Sequence, residues 1–402
     1  MGVQLESIAF NYDSSAHSND ALNIRRNAAQ AVTIPEWRRG VSVTADDSPA
    51  AYSLADVQGN PVSIQVELRR TDPTPDCVEV RALDINAAGG CLYLVLVALG
   101  LGKFIKPGPR SLLGAVKSQC VCFGSNNLTG PTLFNLTHHR LNSAGVESSI
   151  TMWRWQYRVL PLGVWQDFGI TQHRTFTVLQ TPTAPWQQMP SGSGNTQLPW
   201  VDLLKWVCGW AKGAHTPNEA AAEVTKAIYA LGPSVFEYDC PNGGSSWYSS
   251  WNFDATALLD RLNGGVGNGV YINCSDCATF VSSCANLVGA DLWQSRMGFY
   301  FSLNPLLAIG SSVWQTACGW GGFSYHEVAW KGACTENENI YDACLQVDDD
   351  ADPTMAPHTP LLPIDIRFGN PGDGDYRDKL CPASGGAACA PQPSTRTRRT
   401  VA

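Results

Sequence analysis

Tyr271-Ile-Asn-Cys-Ser-Asp-Cys-Ala-Thr-Phe-Val-Ser-Ser-Cys-Ala-Asn-Leu-Val-Gly289 joins a short extended lead-in to an amphipathic helix. From Cys277 an apolar stripe continues through Phe280, Val281, Cys284, Leu287 and Val288, so one face of the helix is expected to be buried along its length. Ser275 is a plausible N-cap, which places Cys277 in the first turn. There the helix macrodipole favours a thiolate over a thiol. Cys277 is therefore the preferred candidate nucleophile. Cys274 is its main rival, but it precedes that helix start and lacks the stripe continuation. Cys284 and Cys344 read as packing.

Downstream lie His326, in Phe323-Ser-Tyr-His-Glu-Val-Ala-Trp330, and Asp342, in Asn339-Ile-Tyr-Asp-Ala-Cys-Leu345. A thiolate needs a base to form it, and an imidazole needs an acceptor to fix its tautomer. The spacing from His326 to Asp342 suits two adjacent antiparallel strands joined by a loop over 331–339. His358, in a Pro-rich loop, is a weaker alternative base. Asp352 lies far after His326 for a single hairpin. The remaining histidines considered, His138, His139, His173 and His215, fall outside the pattern. A side-chain donor for an oxyanion is left open among Asn273, Trp247, Trp251 and Trp320.

Upstream of the helix, Trp200, Leu203, Leu204, Val207, Trp210 and Ala211 follow helical spacing. A second helix starts at Thr216-Pro-Asn-Glu219, a capping box with Pro in the first position, and ends at Gly232-Pro233. A shorter one covers Ala255 to Leu262. After the cysteine helix the pattern turns to short strands, Ser324–Trp330, Ile340–Val347 and Pro363–Phe368. Helices first and strands second is an α+β order.

Residues 1–182 read as all-β. Ile64, Val66 and Leu68 alternate, as do Trp153, Trp155, Tyr157 and Val159, and Thr171–Leu179 is a third run. These predict a β-sandwich. The first twenty residues are polar and expected to be loosely ordered, and Cys91 to Gly102 is expected to form a buried strand pair. A Pro/Gly/Ser-rich linker is expected over 183–199, a catalytic domain over 200–380 and a disordered tail over 381–402.

Composition bounds the partners. The chain has 402 residues, 44% hydrophobic and 15% charged, with a net charge of −8. That balance argues against a nucleic-acid binder, which would usually show a basic face. No secretory signal or membrane span is apparent, so a cytoplasmic location is expected, with specialised secretion left open. The 14 Cys are expected to be mostly reduced and buried. None is placed as in a zinc finger. No metal or other cofactor is expected. The acidic run Asp348, Asp349, Asp350 and Asp352 has the spacing of calcium ligands but lacks the glycine and glutamate of an EF-hand, and reads as a solvated turn.

The order of a cysteine on a helix, then a histidine on a strand, then an aspartate on the next strand resembles the transglutaminase-like branch of the papain-like cysteine protease superfamily. Cys277-Ala-Thr-Phe-Val is similar to that family's Cys-x-x-Phe/Tyr-Ala except at Val281. His326-Glu-Val-Ala-Trp330 carries the Trp later than the family's His-x-Trp, and Ile340-Tyr-Asp fits its aspartate strand. The resemblance implies a papain-like/transglutaminase-like catalytic domain behind an immunoglobulin-like sandwich. It implies a Cys277–His326–Asp342 triad acting on a protein or peptide amide as protease, deamidase or transglutaminase. The alternatives are an inactive binding or adhesion protein that uses the sandwich, and an exported effector that modifies other proteins.

Overall fold

The computed structural model describes residues 2–13, 20–71, 75–85, 111–138, 140–186, 197–361, 366–383 and 388–402. The run from Cys91 to Gly102 lies outside them. The protein is mixed α/β and divides into two units, Met1–Thr181 and Pro182–Ala402.

The first unit is built from strands that alternate. These are β1 (Val3–Ala9), β2 (Trp37–Arg38), β3 (Pro49–Ser53), β4 (Ser63–Arg70), β5 (Cys77–Asp84), β6 (Val116–Cys122), β7 (Thr132–Asn135), β8 (Glu147–Val159) and β9 (Gln166–Val178), with a one-turn helix α1 (Leu54–Val57) after β3. They form a four-stranded sheet in the order β2-β1-β4-β7 and a five-stranded sheet in the order β3-β9-β8-β5-β6. Ile64, Val66 and Leu68 of one sheet share a core with Val78, Val80, Ala82, Trp153 and Trp155 of the other. Period-2 alternation thus puts one apolar face of each sheet inward. β3 runs parallel to β9, whereas the other pairs are antiparallel. A Cys77–Cys122 disulfide joins neighbouring strands of one sheet. It is not the inter-sheet cystine that marks antibody domains.

Three expectations change here. The N-terminal residues are not loose: β1 pairs with β4, and Val3, Leu5, Ile8 and Phe10 are core. A register shift between Leu5 and Ser7 breaks the alternation and hides the strand in the sequence. Disulfides, expected to be less likely than reduced thiols, are also present: a second, Cys240–Cys318, lies in the other unit, while most of the described cysteines are reduced and buried. Third, the opening of the expected linker is packed. Trp186 is fully buried and donates its indole N–H to the Ser283 carbonyl at 2.7 Å, and Thr183 N–H bonds the Asn286 carbonyl.

The second unit starts with three helices, α2 (Val201–Trp210), α3 (Pro217–Tyr229) and α4 (Ala255–Leu262). α3 begins where the capping box placed it: Thr216 Oγ1 accepts the Glu219 N–H at 3.2 Å and Glu219 returns an acceptor to the Thr216 N–H at 3.1 Å. A short parallel pair, β10 (Glu237–Tyr238) and β11 (Tyr271–Ile272), leads into α5 (Cys274–Leu287), of which every residue is buried. Then come β12 (Leu292–Met297), β13 (Phe301–Ser302), β14 (Leu307–Ala308), β15 (Gly322–Phe323), β16 (His326–Lys331), β17 (Ile340–Tyr341), β18 (Leu345–Gln346), a one-turn helix α6 (Tyr376–Leu380) and β19 (Pro391–Thr397). The main sheet has the order β17-β16-β12-β19, and α5 packs against β12, β16, α2 and α3.

The stretch from 381, expected to be a disordered tail, supplies that sheet's edge. β19 pairs with β12, and Arg396 and Arg398 stack on the Trp293 ring at 4.1 and 3.9 Å. Cation–π contacts and ladder bonds replace the apolar face that its sequence lacks. No helix among the described residues is long and apolar enough to cross a membrane.

Candidate thiol–imidazole site

The site forms where the N-terminus of α5 meets the start of β16. Asn273 is the N-cap of α5, not Ser275. Its Oδ1 accepts the Asp276 N–H at 3.0 Å, and Asp276 closes the capping box by accepting the Asn273 N–H at 3.3 Å. Asn caps a helix as well as Ser does, and the reciprocal Asn-x-x-Asp pairing decides between the two starts. The helix thus begins two residues, about half a turn, earlier than expected. Cys274 becomes its first residue, and Cys277 lies about 4.5 Å deeper along the axis at 1.5 Å per residue.

Asp276 also holds the wall of the site. It accepts hydrogen bonds from Trp247 N–H, Tyr248 N–H and Ser249 Oγ at 3.0, 2.9 and 2.7 Å. Burial pushes its carboxyl up, and these donors partly restore it. The preceding turn is fixed by Asp239, which accepts from Asn242, the Ser245 N–H and the Trp247 indole.

His326 and Asp342 come together as their spacing requires. β16 pairs antiparallel with β17, with Ala329 opposite Tyr341, and Asp342 follows β17 directly. His326 Nε2 lies 2.8 Å from Asp342 Oδ2 with both side chains buried. A carboxylate only accepts, so Nε2 carries the proton. Asp342 is held in turn by Tyr376 Oη at 2.6 Å and by the Cys344 and Leu345 N–H groups at 2.8 and 3.1 Å.

The other ring nitrogen, Nδ1, makes no hydrogen bond of normal geometry. The thiol near enough to act on the ring is Cys274, which helps to favour its imidazolium. Cys277 is acted on by Cys344, and also by Asp342, Asp276 and Cys274. Cys274 is 5% exposed and Cys277 1%, so the outer thiol is also the more accessible. Burial works against an imidazolium at His326. The Asp342 charge and hydrogen bond, with help from Cys274, overcome it and push the pKa up to about 10. Burial pushes the Cys277 and Cys344 thiols up. Cys274 thus stands out beside the His326–Asp342 pair as the thiol that acts on the ring and the less buried of the two, while the Asp342 charge also reaches Cys277.

Tyr238 is the residue missing from the sequence reading. It is buried and packs on Trp320 at 6.1 Å and Phe323 at 6.2 Å. Burial raises its pKa, and the neighbouring Cys274 is the next largest cause. β10 is only two residues long and has no periodicity, so nothing in the sequence marked it. Of the oxyanion donors considered, Asn273 is spent on Gly244, Ser246 and its capping role, and the Trp247 indole on Asp239. Trp251 is solvent-exposed. At the first position of α5, the Cys274 N–H has no partner in the helical ladder. A cleft of about 270 Å³ runs beside Tyr238, lined by Cys240, Pro241, Leu306, Ile309 and Val313 among others.

The remaining candidates sit elsewhere. His358 Nδ1 bonds Asp348 Oδ2 at 2.6 Å and stacks on Trp314, which ties down the acidic loop. Asp352 accepts from Thr354 on the surface. Among the described residues no group of three or more His, Cys, Asp or Glu is placed to hold a metal ion.

The site thus gathers a helix-start thiol and a buried, hydrogen-bonded imidazole–carboxylate pair. No protein-family model matches this sequence, and neither does any curated protein sequence. Among solved structures, the crystal structure of red sea bream transglutaminase is similar over 79% of this chain and 52% of its own, with 11% identity and a TM-score of 0.36. This chain thus spans about half the length of that protein.

Proposed function

We propose that the second unit is a cysteine-dependent amide hydrolase or acyltransferase of the transglutaminase-like, papain-like kind, acting on protein or peptide substrates. Cys274 is its nucleophile, His326 its base and acid, and Asp342 the residue that orients His326. One observation carries this reading: His326 gives one nitrogen to Asp342 and keeps the other, buried and unpartnered, at the site where a capped helix opens with Cys274.

The chemistry follows from the geometry. His326 Nδ1 takes the thiol proton, and the ion pair is favoured by the raised pKa of the ring. The thiolate attacks the amide carbonyl, a C–S bond forms, and the oxyanion is held by the Cys274 N–H with the Tyr238 hydroxyl as side-chain donor. The C–N bond breaks as the imidazolium gives its proton to the leaving amine. Water or a second amine then attacks the thioester, with His326 accepting its proton, and frees the thiolate. Hydrolysis is the favoured outcome, because no lysine-binding groove is marked in the sequence. The immunoglobulin-like nature of the first unit, and its use in presenting substrate, belong to the same proposal. Two cystines fit maturation in an oxidising compartment better than a cytoplasmic life, which favours the exported form of this activity.

The test uses iodoacetamide near neutral pH with mass mapping of the labelled residue. Wild type and Cys277→Ala label at Cys274, and Cys274→Ala loses the fast-reacting thiol. Fast labelling that survives in Cys274→Ala and vanishes in Cys277→Ala sinks the assignment. Incubation with a proteome then separates cleavage, deamidation and cross-linking by mass.

A further inference from the structure

The residues next to the thiol and next to the imidazole are tied to each other. Ser275 follows Cys274, and Glu327 follows His326. Ser275 Oγ donates to Glu327 Oε2 at 2.7 Å. Glu327 is a carboxylate buried to 2% exposure, which is costly unless it is paired. Its partner comes from the stretch beyond β19. Arg399 Nη1 donates to Glu327 Oε1 at 3.0 Å and to Thr279 Oγ1, on α5, at 2.7 Å, and Nη2 reaches Oε2 at 3.4 Å. Thr279 lies one helical turn below Ser275 and bonds the Ser275 carbonyl and Gln294 Oε1. The second cation, Arg296 of β12, stands 3.9 Å away and is largely solvated.

We propose that Arg399 is a positioning residue of the thiol site: through Glu327 it locks the start of α5 to the start of β16, and so fixes Cys274 against His326. It touches neither reacting atom. The inference rests on the reading of Cys274 and His326 as the reacting pair. It goes beyond that reading by making the C-terminal segment part of the active machinery.

Removing the guanidinium leaves a buried anion between the two elements. Arg296, 3.9 Å from Glu327 and largely solvated, is then the counter-charge that remains; the titratable groups around the thiol and the imidazole, Asp342, Asp276, Cys277, Cys344 and Tyr238, are acids. The added negative field disfavours the Cys274 thiolate.

The experiment follows iodoacetamide labelling of Cys274 in the full chain against pH, for wild type, Arg399→Met, Arg399→Lys, Glu327→Gln and the double variant Glu327→Gln/Arg399→Met. Arg399→Met is expected to slow labelling at neutral pH about ten-fold and to move its pH midpoint up by about one unit. Arg399→Lys recovers part of the rate. The double variant carries no orphaned anion, so it returns to within about three-fold of wild type even where Arg399→Met folds poorly. A reactive Cys274 with the same pH midpoint in wild type and Arg399→Met overturns the proposal alone. So do effects of the two substitutions that simply add in the double variant. An inert Cys274 in the wild-type protein defeats the thiol-enzyme reading, and this proposal with it.

Discussion

His173 in the first unit and His326 in the second are both completely buried, and their chemistry is opposite. His173 stands between the rings of Phe10 and Trp153 and bonds only hydroxyls, Ser48 Oγ and Thr171 Oγ1, each at 2.9 Å. Burial pushes its pKa down to about 3, so it is a neutral packing element. His326 suffers the same burial, but Asp342 lifts it to about 10. Burial alone therefore does not mark a functional histidine. The charge and geometry of the one partner it meets decide its role.

That contrast can be broken most severely at Asp342. Asp342→Asn keeps the shape but removes the charge that holds the imidazolium. Labelling of Cys274 at neutral pH should fall on the order of 100-fold, and the His326 pKa, followed by NMR, should drop by several units. A His326 that still titrates near 10 in this variant would show that the carboxylate is not the cause.

The pH dependence of stability sharpens the contrast, because the two histidines should slope in opposite directions. His326 has a raised folded pKa, so its contribution is complete below about 6.5 and is lost as pH rises through about 10. His173 has a depressed folded pKa, so the unfolded chain binds the extra proton. Its contribution is complete above about 6.5 and is lost as pH falls towards about 3. Thermal melts of wild type, His326→Gln and His173→Gln should show the first variant losing its deficit at high pH and the second at low pH. At neutral pH His173→Gln should cost about 1–3 kcal/mol through unsatisfied hydroxyls and leave Cys274 labelling intact. Parallel slopes in the two variants would remove the distinction.

The smallest effect belongs to the cap. Asn273→Ala should cost about 1 kcal/mol and lower the labelling rate of Cys274 by a few-fold, while Thr216→Ala, at the cap of α3, should cost a similar stability with no change in labelling. Equal labelling in both variants would show that the cap of α5 serves only the helix.

The sequence made some of this legible and not the rest, for physical reasons. Thr216-Pro-Asn-Glu219 fixed the start of α3 because all its signals are local. His326 and Asp342 could be paired because a hairpin spacing needs only strand geometry. The helix start was read two residues late because Asn273 and Ser275 are both good caps, and that reading set Cys277 ahead of Cys274. Asp276 settles the choice only by folding back on Asn273. β1 was hidden by its bulge, and β19 by Pro391-Gln-Pro-Ser-Thr-Arg-Thr397, which has no apolar face. The pairings Cys77–Cys122 and Cys240–Cys318 join residues 45 and 78 positions apart, and no local pattern encodes such distances.

The β12–β19 pairing has a kinetic consequence. Ser295 Oγ meets the Gln392 carbonyl across 97 residues, and Arg399 meets Thr279 across 120. Closing loops of that length is slow compared with forming a capped helix, since the entropy of closure comes before any contact rewards it. α5 can therefore form while the strand that locks it is still remote. Thiol reactivity should be among the last properties to appear as the chain folds, well after its helical signal is complete.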